Sequence, residues 1–316
     1  MFALFDFLLT AVGVDTASRL GMTILFFLAD SVKILLILFF AISAIGVLRT
    51  YISKENIQKY LGGKYKFLSS FAAALFAIFT PFCSCSSIPI FLSLIKMRVP
   101  FASAMCFLAV SPLVNEYLVV LMPSYYGLPI VIIYIFGGIF LGMSVGWTLE
   151  KMGMEKYLEP EFLATAPEFQ NFPTFKSRLN FGISEGKDIV KRLWVWILVG
   201  VAVGAIIHGY VPDEYITKVV NAGGIFSVPL AALVGAPIYG SCAGVVPVAL
   251  IFFGKPVALG TVLAFLMSVS AMSLPEAVIL RGAMKLKLLL SFFGLVFLGI
   301  VIMGYFINFI APFVIF

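Results

Sequence analysis

Two stretches of this chain, Ile34 to Ile45 and Leu288 to Ile307, are apolar almost without interruption. A helix with no polar face has no stable place on a water-exposed surface. With their apolar flanks these stretches are long enough for a hydrocarbon core of roughly 30 Å, and they predict transmembrane helices. The rest of the chain agrees: 62% of its 316 residues are hydrophobic and 11% charged, with a mean hydropathy of +1.12. Soluble domains run about 25% charged. A soluble enzyme, a nucleic-acid binder and a disordered protein are excluded. Backbone polar groups in lipid must be satisfied within their own segment, so the expected fold is an all-α, multi-pass integral membrane protein.

The few charges set the topology. Arg49, Lys54, Lys59, Lys64 and Lys66 follow a first span at about 20–48 and mark a cytoplasmic loop. The next apolar stretch, Phe67 to Met97, is interrupted by Thr80-Pro81-Phe82-Cys83-Ser84-Cys85-Ser86-Ser87. Its arms, Phe67 to Phe79 and Ile88 to Met97, would rise only about 20 Å and about 15 Å as helices. Neither spans alone, so the segment is either a re-entrant hairpin or one bent crossing. With the hairpin, spans follow at 101–121 and 128–149, a polar linker lies inside, and a span at 193–211 leads to an external loop. A second broken segment at 225–253 and spans at 257–274 and 288–309 complete the chain. This puts 17 of the 21 basic residues in the cytoplasm and three outside, with Lys33 in a span. The bent crossing would put the basic linker outside. The pI near 9.1 therefore reflects topology, with no basic stripe to bind nucleic acid. Met1 to Leu9 lacks a basic n-region and contains Asp6, so no cleavable signal is read.

The halves resemble each other. Lys33, Pro81 and Pro100 are answered by Lys191, Pro237 and Pro256, and each half has a helix broken by a polar, proline-containing patch that ends in an acid. These patches are Ser111-Pro112-Leu113-Val114-Asn115-Glu116 and Ser268 to Ser273 followed by Leu274-Pro275-Glu276. The pattern predicts a first repeat at 1–149, a cytoplasmic linker at 150–190 and a second repeat at 191–316. The repeats have inverted topology, each with three transmembrane helices and one re-entrant or broken hairpin. Inverted repeats with paired breaks imply an alternating-access transporter with a midplane site.

The residues able to do chemistry gather at those breaks. Cys83 and Cys85 stand among Ser84, Ser86 and Ser87, and Cys242 stands beside Ser241 and close to Tyr239. Thiolates select soft metals and metalloids, and a helix N-terminus at 88 would favour the thiolate form. Cys106, alone in an apolar helix, reads as a small hydrophobe. Four cysteines are too few for a disulfide scaffold. Glu116 and Glu276 lie in apolar sequence, where an acid costs roughly 2.5 to 3.5 kcal/mol and commonly relays protons. With Asn115 they are the candidates for proton coupling. Asp30 and Lys33, one turn apart, read as a neutralising pair. His208 reads as a surface histidine. The absence of Gly-x-x-x-x-Gly-Lys-Ser/Thr removes ATP hydrolysis by this chain.

Thr80 to Pro89, Ser111 to Asn115 and Gly235-Ala236-Pro237 through Cys242 and Pro247 resemble the corresponding motifs of the ArsP/YraQ-type permeases. The resemblance covers nearly all of both repeats. It implies a cytoplasmic-membrane permease, with trivalent organoarsenicals as the substrates of the ArsP members, and a substrate-contacting role for Cys83, Cys85 and Cys242.

The expected protein is therefore a proton-coupled exporter of a small thiol-reactive solute, such as an organoarsenical or a sulfur species. It is not an enzyme, uses no cofactor, and takes a small molecule or metalloid, protons and the bilayer as its partners. The rival reading is a membrane-embedded thiol-disulfide oxidoreductase in which Cys242 resolves a Cys83–Cys85 pair. Against it stands the absence of the Cys-x-x-Cys redox motif from the chain. A passive channel is disfavoured by the scarcity of polar helix faces.

Overall fold

The computed structural model describes residues 18–50, 66–79, 84–97, 99–159, 174–210, 224–237 and 257–314, together with Asp6 and Thr10. Among these residues the chain is helical and forms no strand. The helices are α1 (Arg19–Arg49), α2 (Lys66–Phe79), α3 (Ser84–Lys96), α4 (Phe101–Leu113), α5 (Glu116–Leu121), α6 (Pro123–Tyr126), α7 (Leu128–Lys151), α8 (Phe175–Tyr210), α9 (Ser227–Gly235), α10 (Leu259–Ala271), α11 (Leu274–Arg281) and α12 (Leu286–Val314). Helices α7 and α12 are each long and apolar enough to cross a membrane. Helix α4 and the stretch Leu118–Tyr126, which takes in most of α5 and α6, are bent by 50° at the break between them and together pass the same test as one span.

At the centre stand α4 and α10. Every residue of both is buried, which suits helices that are apolar all round. Around them, α2 and α7 pack on α4 in the same way that α9 and α12 pack on α10. The correspondence holds at single residues, at a constant separation of 158 positions. Ser69 Oγ meets Ser103 Oγ at 2.9 Å, and Ser227 Oγ meets Thr261 Oγ1 at 3.0 Å. A Cβ on Gly146 would run into the Ala102 carbonyl oxygen, and one on Gly304 would crowd the Gly260 carbonyl oxygen. These are the small-residue contacts by which membrane helices approach backbone to backbone.

Contact order along the helices gives their relative directions. Ser70 and Phe76 meet Ser103 and Phe107, so α2 and α4 run parallel. Ser227 and Ala232 meet Thr261 and Ser268, so α9 and α10 do too. By contrast α7 and α12 run antiparallel, since Cβ atoms on Gly137 and Gly299 would meet Met303 and Leu141 respectively. Helices α1 and α8 are also antiparallel. Gly182 and Gly186 abut Ser43 and Phe39, and Arg178 Nη1 donates to the Thr50 carbonyl at 2.7 Å.

One end of the bundle is cationic. Lys66 pairs with Glu150 at 3.0 Å, and the turn after α7 is pinned to the α11–α12 turn. The pinning consists of a Leu158–Met284 bridge and the Lys285 N–H donating to the Tyr157 carbonyl at 2.8 Å. Lys287 and Lys156 lie 5.1 and 5.4 Å from the centre of the Tyr157 ring. A hydrogen bond from Lys287 and the surrounding lysine charges hold the Tyr157 hydroxyl below its ordinary pKa.

The structure departs from the sequence reading at several points. Helix α3 begins at Ser84, four residues before the expected Ile88, so Ser84, Cys85 and Ser86 form its first turn. Helix α8 begins at Phe175, taking in residues assigned to the linker, because Gly182 and Gly186 make a small-residue face that seats on α1. At the 158-residue spacing the two acids are not counterparts: Glu116 matches Leu274, and Glu276 matches Leu118. The prolines are likewise two positions out of step. Proline ends a helix without needing one fixed position, so it marks a break and not a register.

Candidate functional site

The two breaks are built alike. Helix α4 stops after Pro112, and Asn115 opens α5 by accepting the Leu118 N–H on Oδ1 at 3.4 Å. Helix α10 stops at Ala271, and Ser273 opens α11 by accepting the Glu276 N–H on Oγ at 3.4 Å. Asn and Ser are the residue types whose short side chains cap a helix start. The caps are again 158 residues apart, and both are buried. Each break thus brings freed backbone groups and a capping side chain into the middle of a buried helix.

In the first break the freed groups are taken up by a tyrosine. Tyr134 of α7, wholly buried, donates its hydroxyl to the Leu113 carbonyl at 2.6 Å and accepts the Asn115 N–H at 3.1 Å. A buried tyrosine needs a partner for its hydroxyl, and that was the signal available in the sequence. The residue matched to Tyr134 is Phe292, equally buried and without a hydroxyl.

Of the expected site residues, Asn115 and Glu276 are buried at the two breaks. Glu116 is the first residue of α5. Ser84, Cys85 and Ser86 lie on the first turn of α3, whose neighbours are α1, α4 and α11. Helix α3 of the first half therefore packs on the helix of the second half that carries Glu276. Cys83, Tyr239, Ser241 and Cys242 lie outside the described residues. Cys106 is buried and turns its Sγ to the Ser70 carbonyl at 3.5 Å, in keeping with a packing role. Among the described residues no group of three or more His, Cys, Asp or Glu could hold a metal ion.

A cavity of about 730 Å³ opens between α7 and α12, but its lining is almost wholly apolar. Its two hydroxyls, on Ser144 and Thr148, bond back to the Phe140 and Ser144 carbonyls of their own helix at 2.8 and 2.7 Å. It offers nothing to recognise a polar solute.

Apolar helices long enough to span a bilayer, with interior breaks, make this a membrane protein. The chain belongs to the ArsP_1 family, described as predicted permease, whose model matches residues 19–309. It is similar to a two-component membrane permease complex subunit of Streptococcus mutans, 23% identical over 257 residues that cover 79% of this chain and 82% of that protein. It is also similar to a UPF0718 protein of Methanocaldococcus jannaschii, 21% identical over 334 residues covering 87% and 92%. No solved structure matches the chain.

Proposed function

We propose that this permease is a secondary transporter of the cytoplasmic membrane, built from two inverted repeats joined by a cytoplasmic linker. It exports a small thiol-reactive solute such as a trivalent organoarsenical. The observation that carries the reading is the constant 158-residue correspondence combined with direction. Counterpart helices α1 and α8, and α7 and α12, pack antiparallel, as halves related by a two-fold axis in the membrane plane must. The parallel run of α2 and α4 supports the re-entrant hairpin, since a bent crossing would return α4 antiparallel to α2.

Cys83, Ser84, Cys85 and Ser86 on one hairpin and Tyr239, Ser241 and Cys242 on the other form the substrate site in this reading. One or two thiolates engage the solute at a time, since three closing together would trap it. Glu276, Glu116 and Asn115 pass the coupling protons. The packing of α3 on α11 supports this division, because it sets the hairpin of one half beside the acid-bearing helix of the other. The decisive assay is uptake of methylarsenite by everted vesicles. Cys83→Ser, Cys85→Ser and Cys242→Ser are expected to lose uptake at least tenfold, and parental rates in all three would refute the thiol site. A Cys83–Cys85 disulfide that cycles without solute flux would favour the oxidoreductase.

A further inference from the structure

The two breaks are alike in backbone and unlike in how their polar groups are answered. In the first, the Tyr134 hydroxyl closes on the Leu113 carbonyl. In the second, the matching carbonyl is that of Ala271, and the matching side chain, Phe292, has nothing to donate. The chain itself offers no replacement in the helical pattern, because the residue four positions on is Pro275, which has no N–H. Immediately before it, Ser270 is buried to 8% exposure, and its hydroxyl has no hydrogen-bond partner among the described residues. Its counterpart in the first half is Pro112, so this hydroxyl is a feature of the second break alone. Glu276 is buried two residues into the helix that follows the Ser273 cap.

We infer that the second break is a binding site for a small monovalent cation of the sodium type, held by the Ser270 hydroxyl, the Ala271 carbonyl and the Glu276 carboxylate. The first break, whose freed Leu113 carbonyl is taken up by Tyr134, holds no such cation. The chemistry fits: hydroxyl, carbonyl and carboxylate oxygens are hard ligands that favour a hard cation over a soft one. The C-terminal end of a half-helix adds the negative end of its dipole, and unwound carbonyls of this kind coordinate ions in interrupted transmembrane helices. A buried hydroxyl without a partner among the described residues is costly in lipid, and a bound cation satisfies it together with a carbonyl that Pro275 cannot serve. The inference rests on the transporter reading and gives it a coupling ion to act beside, or in place of, protons.

The test is direct binding of radioactive sodium to the purified full-length chain in nanodiscs, at constant ionic strength made up with choline. The parental protein is expected to bind sodium saturably. Ser270→Ala is expected to weaken binding at least tenfold. Phe292→Tyr, which supplies the second break with the hydroxyl that closes the first, is expected to weaken it similarly. Ser144→Ala, whose hydroxyl bonds only to its own helix, is expected to bind as the parent does. Absence of saturable binding by the parent, or parental binding by Ser270→Ala, would overturn the site. Methylarsenite uptake by the same preparations, measured separately, tells failure of the cation site from failure of the transporter reading.

Discussion

The Tyr134 hydroxyl lies 2.6 Å from the Leu113 carbonyl and 3.1 Å from the Asn115 nitrogen, bridging the interruption between α4 and α5 with one side chain. Removing that oxygen strands two backbone groups in a buried setting. Tyr134→Phe is expected to lower stability by about 1–3 kcal/mol, read as a fall in the unfolding midpoint in mild detergent. A midpoint unchanged from the parent would show that the bridge is dispensable.

Glycines give a sharper contrast. Gly146→Ala places a methyl group against the Ala102 carbonyl, where backbone must yield, and a loss of about 1–3 kcal/mol is expected. Gly294→Ala on α12 meets nothing within 4 Å and should be neutral or stabilising by up to about 1 kcal/mol, the helix-propensity difference. Both are measured as shifts in detergent unfolding. Equal effects at the two sites would contradict the packing described.

Asn308 accepts the Gly260 N–H on Oδ1 at 2.6 Å and turns its amide to Thr261 Oγ1 at 3.4 Å. Asn308→Ala is expected to cost about 1–3 kcal/mol by leaving a buried N–H unmet. Lys66→Ala breaks a pair whose side chains are 61% and 29% exposed, and is expected to cost no more than about 1 kcal/mol. Thermal unfolding of the two variants side by side tests the ranking.

The proposed topology fixes which positions a membrane-impermeant thiol reagent can reach. In a background with the native cysteines replaced by serine, Lys156→Cys and Lys285→Cys are expected to label only after the cells are opened. Tyr125→Cys, in the turn between α5 and α7, is expected to label in intact cells. The reverse pattern would invert the bundle in the membrane.

Much of this was legible in the residues. The apolar runs located α7 and α12, and the Ser111 to Glu116 patch located the α4–α5 interruption, because both signals are local and dictated by the bilayer. The register between the halves was legible only in Lys33 and Lys191, which stand 158 positions apart. The paired prolines and the paired acids suggested a spacing two residues away from the 158 at which Ser69 with Ser103 and Ser227 with Thr261 repeat. Those pairs are ordinary small polar residues, and only their contact distinguishes them from other serines. The early start of α8 was missed for a related reason. Charged residues such as Lys187 and Asp188 hide the Gly182–Gly186 face that seats on Ser43. Tyr134 was overlooked because a tyrosine in an apolar span looks like bulk until its hydroxyl is followed to a partner.

The contact between Gly146 and Ala102, and its counterpart between Gly304 and Gly260, has a mechanical consequence. Where one main chain rests on another there is no rotamer to change and no side chain to slide aside, so α4 and α7 must travel as one lever, and α10 and α12 as another. Displacement during a transport cycle is then left to joints outside these pairs: the bends at Asn115 and Ser273 and the seams that α3 and α11 make with their neighbours.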